Sequence, residues 1–177
     1  MGTANGWSAG AVSAVLTGPE AEELLYREAV LLDRGDWDAW LALYREDAVF
    51  WMPAWRDELT PTDNPDSELS LIYYRGRRNL EERVWRARSG LSVASAPRPR
   101  VVHLVSNVLV DRASDVEGDV AASFAVYLYD VRGERTHVFF GRYEYRLWRD
   151  TQNWQIAAKK IILLNDVIPT VVDFYSV

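Results

Sequence analysis

At 177 residues the chain can bury a substantial core as one domain. It has no cysteine, which excludes disulfides, thiolate-bound zinc and iron–sulfur ligation within this chain. Its net charge of −6 argues against nucleic acid as a partner, and no apolar run reaches the roughly 20 residues that span a membrane.

Met1 to Leu16 lacks a basic n-region and is expected to be a flexible N-terminal arm, with the cytoplasm as the address. From residue 17 to residue 177 we expect a single domain. Thr17-Gly18-Pro19-Glu20 has the spacing of a capping box with proline in the first turn. Ala21, Leu25, Ala29 and Leu32 then recur at helical spacing, and Gly35 stands where a C-cap glycine would. Asp36 opens a second predicted helix carrying Trp37, Trp40, Leu41 and Tyr44. A short strand is expected from Ala48 to Trp55, broken at Pro53, followed by a polar loop and the apolar run Leu69 to Tyr74. A third helix is predicted from Arg77 to Ser89, with Leu80, Val84 and Ala87 on one face.

Four long strands follow, at Val101 to Asp111, Asp119 to Asp130, Thr136 to Arg149 and Trp154 to Leu164. Their short connections imply an antiparallel meander, with Gly141 marking a bend, a bulge or a close approach. Helices followed by a bent sheet give an α+β fold, open at one end as a cone. Apolar residues alternate onto both faces of the sheet, and the helices can cover only one.

The catalytic menu is short. His103 and His137 are the only histidines, too few for a facial-triad site together with a Rieske cluster, so no metal site is expected in this chain. His103 shares a predicted strand face with Val101, Val105 and Leu109 and could point inward as a general base. The structural reading of the same residue is a histidine hydrogen-bonded within the sheet or at a subunit contact. Arg75, Arg77 and Arg78 begin a run of eight arginines that suits an acidic partner surface between subunits, or else a solvated helix face.

Four stretches resemble one family in order and spacing. The first is Asp36 to Tyr44 followed by Glu46-Asp47-Ala48 and Phe50-Trp51-Met52-Pro53, and the second is Glu68 to Tyr74 leading into Asn79 to Val84. The third is His103 to Val108, and the fourth is Leu163 to Asp166 with Asp173-Phe174-Tyr175. Together they resemble the small, or beta, subunit of Rieske-type aromatic-ring-hydroxylating dioxygenases, in the branch acting on benzoate, toluate and anthranilate.

The resemblance implies a cystatin-like or nuclear-transport-factor-like cone. It implies a structural subunit with no cofactor of its own. The Rieske [2Fe-2S] cluster and mononuclear iron would sit in a large, or alpha, subunit, commonly with three large and three small chains and a trimer of small ones. The apolar end of the chain, Val167 to Val177 with Phe174 and Tyr175, is then expected in a groove between subunits. Two rivals are a stand-alone cone-fold isomerase or dehydratase using His103, and a scaffold without an oxygenase partner.

Overall fold

The computed structural model describes residues 15–90, 97–151, 153–169 and 171–177. The element order is α1 (Gly18–Arg34), α2 (Trp37–Leu41), β1 (Tyr44–Pro53), β2 (Ser70–Arg75), α3 (Arg77–Arg88), β3 (Arg100–Ala113), β4 (Glu117–Asp130), β5 (Arg135–Asp150) and β6 (Asn153–Leu163), with a final 3-10 turn at Phe174–Ser176. The capping box forms as expected, the Thr17 main-chain N–H donating to Glu20 at 2.9 Å. Gly35 takes the left-handed conformation at φ 72° that ends α1. Most of the expected arm, residues 1–14, lies outside the described residues. Leu16 does not: its side chain is buried and occupies the space above Gly118, where a Cβ would meet Leu16 Cδ2 at 2.4 Å.

Among the described residues the sheet has six strands in the order β2-β1-β6-β5-β4-β3, rather than the four of the expected meander. The added strand β1 runs parallel to β6, with Tyr44 opposite Ile156 and Trp51 opposite Lys160. That pairing explains why α2 stops at Leu41: Tyr44, expected as the last residue of the helix, is already the first residue of β1. Gly141 permits the close approach of β6, since a Cβ there would stand 2.0 Å from the Ile162 carbonyl oxygen. The curled sheet wraps α1, and its inner face carries the core: Val101, Phe124, Val126, Phe139, Tyr143, Leu147, Ile156 and Ile161 are all buried.

Leu109 departs from the expected face. Between Ser106 and Leu109 β3 advances three residues while β4 advances two, with Asn107 at φ 53°. The extra residue is a bulge, and it turns Leu109 out to solvent while His103 stays inside.

The end of the chain corrects an expectation. Phe174, Tyr175 and Val177 are buried in this chain's own core and not between chains. Phe174 stacks on Trp40 at 5.0 Å and meets Trp37 edge-on at 5.1 Å, while Tyr175 stacks on Trp37 at 5.7 Å. A bidentate ion pair from Arg83 on α3 to the buried Asp173 fixes the entry to this turn. With 0% and 2% of their surface exposed, Phe174 and Tyr175 have almost nothing left to offer a neighbour. Among the described residues of the strap before the turn, the apolar Val167, Ile168, Pro169 and Val171 are exposed.

Candidate functional site

Two surfaces could carry function: the interior of the cone, where a cone-fold enzyme would hold its substrate, and the outer face of the sheet.

The interior contains a buried ion pair that the sequence reading missed. Glu28 on α1 and Lys159 on β6 are both buried, with Lys159 Nζ 3.1 and 3.2 Å from the two carboxylate oxygens. Tyr145 donates its hydroxyl to Glu28 at 2.6 Å, Tyr44 donates a second, and the Trp40 indole N–H stands at 3.3 Å. Burial pushes the Glu28 carboxyl up, but the Lys159 charge and the bonds from Tyr145 and Tyr44 outweigh it and hold it below its ordinary value. The same burial, with the Glu28 charge beside them, raises the Tyr44 and Tyr145 phenols well above theirs. A buried carboxylate with this many donors is compensated, and one short of them would not stay charged.

His103 does face inward. Its side chain is 1% exposed, and its Nδ1 lies 2.6 Å from Asp33 Oδ1 near the C-terminal end of α1. Its main-chain N–H also donates to the Asp33 carboxylate, at 3.1 and 3.2 Å. A carboxylate only accepts, so Nδ1 carries the proton of this bond. This is the His–acid pair that a general base needs. Nε2, however, is buried and meets no partner among the described residues, and Phe124 stacks on Tyr143 at 4.1 Å across the neighbouring interior. A base must come within hydrogen-bond reach of its substrate. Here side chains occupy the space the substrate would need.

His137 lies on β5 opposite Leu128, two rows from the His103–Val126 pair, with β4 between the two histidines. Among the described residues no group of three or more His, Cys, Asp or Glu converges as metal ligands.

The arginines are mostly engaged with their own chain. Arg77 bonds Glu81 at 3.1 Å and the Tyr44 carbonyl at 3.1 Å, Arg83 holds Asp173, and Arg88 pairs with Asp38 at 2.8 Å. Arg98 donates to the Leu32 carbonyl at 3.1 Å and lies 4.6 Å over the Trp37 ring, tying the connector to the end of α1. Arg75 and Arg78 stay exposed, with long contacts to Asp66 at 3.5 Å and Glu82 at 3.7 Å and with Arg75 also 6.0 Å over the Tyr73 ring.

The outer face divides in two. Its lower rows carry cross-strand ion pairs, Lys160–Glu144 at 3.4 Å and Arg146–Asp119 at 3.2 Å, around a shallow hollow of about 390 Å³ that includes Val49 and Trp51. Its upper rows are apolar. Leu104, Ala125 and Phe140 align across three strands, as do Val102, Tyr127 and Val138. Leu164 and Asn165 join them, Leu164 donating its N–H to the Phe140 carbonyl at 2.9 Å. Leu104 is 52% exposed, Tyr127 49% and Phe140 45%, and the strap continues the patch through Val167 at 72%. A contiguous exposed apolar face of this kind marks an interaction surface.

Residues 27–170 match the model of the family described as "Ring hydroxylating beta subunit". The chain belongs to the ring-hydroxylating beta-subunit family. This beta subunit is 42% identical over 154 residues to the 2-halobenzoate 1,2-dioxygenase small subunit of Burkholderia cepacia, covering 86% of this chain and 92% of that one. Among solved structures it resembles the beta subunit of the benzoate 1,2-dioxygenase of Burkholderia mallei, with 35% identity, a TM-score of 0.73, and coverage of 88% of this chain and 94% of that one. A scytalone dehydratase-like protein of Novosphingobium aromaticivorans shares the fold alone, at 13% identity and a TM-score of 0.65 over 88% and 91% of the two chains. The cystatin-like cone implied by the resemblance is therefore the fold of this beta subunit.

Proposed function

We propose that this chain is the non-catalytic, structural small subunit of the terminal oxygenase of a Rieske-type dioxygenase that dihydroxylates an aromatic carboxylate. The observation that carries the reading is the filled interior. The place where a cone-fold enzyme binds its substrate is taken by the Glu28–Lys159 network and by packed aromatic side chains. The large subunit supplies the Rieske [2Fe-2S] cluster and the mononuclear iron, since a chain without cysteine cannot ligate the cluster.

Three large and three small chains form the assembly in the cytoplasm, with the small chains associating as a trimer, and residues 17–177 act as one domain. The exposed upper rows of the sheet and the strap residues Leu164, Val167, Ile168 and Val171 meet neighbouring subunits, with Arg75 and Arg78 available to acidic groups at the rim. The carboxylate substrate class rests on the named relatives, which act on 2-halobenzoate and benzoate.

The test is turnover per intact complex after His103→Asn, which keeps a polar group beside Asp33. Unchanged kcat, with any loss confined to assembly or stability, is the expected result. A fall of about 10²-fold or more in kcat, with assembly intact, would instead make His103 a working base.

A further inference from the structure

In a chain without cysteine the oxidisable side chains are chiefly the eight tryptophans and nine tyrosines, and three of them bond one carboxylate. Tyr44, Tyr145 and Trp40 all donate to Glu28. The Trp40 and Tyr44 rings lie 5.1 Å apart, and those of Tyr143 and Tyr145 lie 5.6 Å apart. Phe50 sits 6.3 Å from each of Trp40, Tyr44 and Tyr74, so ring contacts run from the buried carboxylate to the half-buried Tyr74 on β2. A phenol that loses an electron becomes strongly acidic, and a charged radical in an apolar interior is costly unless its proton leaves. Each of these two phenols already shares its proton with an acceptor.

We propose that the Tyr44–Tyr145–Glu28 cluster is a sink for one-electron oxidation. A one-electron oxidant, such as a high-valent iron centre or a photogenerated metal complex, removes an electron from Tyr44 or Tyr145. The O–H bond breaks, the proton passes to the Glu28 carboxylate, and a neutral tyrosyl radical and a carboxylic acid remain, the positive charge left by the lost electron residing on the Lys159 ammonium, 4.2 Å over the Tyr143 ring. Reduction by one electron returns the proton to the phenol oxygen and restores the starting state. The chemistry belongs to this chain alone. Its use, protecting the assembly from stray oxidising equivalents, rests on the proposed place beside an oxygen-activating subunit.

The test uses the full chain without partner, so that its failure leaves the subunit assignment untouched. Photogenerated ruthenium(III) tris-bipyridine serves as oxidant, with ring-deuterated tyrosine and electron paramagnetic resonance to identify the radical. The expected product is a neutral tyrosyl radical with a hydrogen-bond proton that exchanges slowly with D₂O. In the double variant Tyr44→Phe/Tyr145→Phe, checked for its fold by circular dichroism, the yield of that signal falls about tenfold or more, as loss of both bonded phenols requires. An unchanged yield would overturn the proposal, because exposed Tyr26 and Tyr127 would then be taking the charge. So would a wild-type radical whose hydrogen-bond proton exchanges at once, a measurement that needs no variant.

Discussion

Glu28 and Lys159 hold opposite charges at the centre of an apolar core, and each compensates the other. Removing one alone leaves a buried charge without a partner. Glu28→Gln is therefore expected to cost about 3–5 kcal/mol in urea unfolding. The double variant Glu28→Gln/Lys159→Met should recover most of that loss, because it removes both charges at similar volume.

The pH dependence follows from the same groups. The Glu28 carboxyl lies below its ordinary value of 4.5 in the folded chain, so its contribution is present above about 4.5 and is lost as pH falls through the folded value. The phenols of Tyr44, Tyr143 and Tyr145 lie well above 10, raised first by burial and then by the Glu28 charge. Their contribution is complete below 10 and is lost above it, as the unfolded chain ionises and the folded one does not; Lys159, pushed below its ordinary value by burial despite the Glu28 charge, acts the other way, one group against three. Urea midpoints measured across pH should fall at both ends, and the acid limb should be shallower in the Glu28/Lys159 double variant, where Glu68, held at about 2 by main-chain N–H donors and Arg56, and Asp57 and Asp130, held low by main-chain bonds, still contribute. An acid limb as steep as that of the wild type would assign it to those carboxylates alone.

Both charges left a trace in the sequence. Glu28 sits between Leu25 and Leu32 on the apolar stripe of α1, and Lys159 precedes Ile161 and Leu163 on the inward alternation of β6. Two opposite charges, each on a core-facing position, are the signal of a buried pair. Their meeting was not legible, because 131 residues separate them and only the tertiary fold brings β6 over α1. The Asp33–His103 pair was half legible: strand alternation placed His103 inside, but nothing local named Asp33 as its partner.

At the scale of elements, caps and short turns made most of the fold readable. The capping box, Gly35 and the four long strands follow from local chemistry. What escaped was long-range: the parallel pairing of β1 with β6, which sets the end of α2, and the bulge at Asn107, which moves Leu109 to the outside. The end of the chain escaped for the same reason. Its apolar character was plain, but the sequence could not say whether its cover came from this chain or another. Trp37, Trp40 and Arg83 decide it.

Ending the chain after Asp166 should therefore unfold it or cost several kcal/mol, at about 1.5–3 kcal/mol for each large buried side chain lost. The structure opposes the alternative in which such a truncation spares the fold and harms only association. Replacing the exposed Val167, Ile168 and Val171 by serine should leave the thermal midpoint of the isolated chain within about 2–4 °C, because exposed side chains carry little folding energy. A midpoint that drops as far as in the truncated chain would mean that the strap also belongs to the core.

The whole molecule has a closed inside and an open outside. Helices and the terminal turn cover the inner face of the sheet, whereas Val102, Leu104, Tyr127, Val138 and Phe140 face solvent on the outer one. This division suits the proposed supporting subunit, whose inner face is closed by its own side chains while its outer face stays open. The apolar residues on both faces were legible from strand alternation alone. Their distribution into an ion-paired half and an apolar half depends on strand register and was not.

The most direct measurement is the mass in solution of this chain co-expressed with its large subunit, compared with the variant Leu104→Asp/Phe140→Asp. These substitutions put two charges on the exposed apolar rows without touching the core, so the isolated variant should keep the wild-type circular dichroism. Sedimentation equilibrium should give a complex of three large and three small chains for the wild type, and free small chain beside uncomplexed large subunit for the variant. A folded variant that assembles as the wild type does, or a wild-type chain that sediments alone in the presence of its large subunit, would contradict the account.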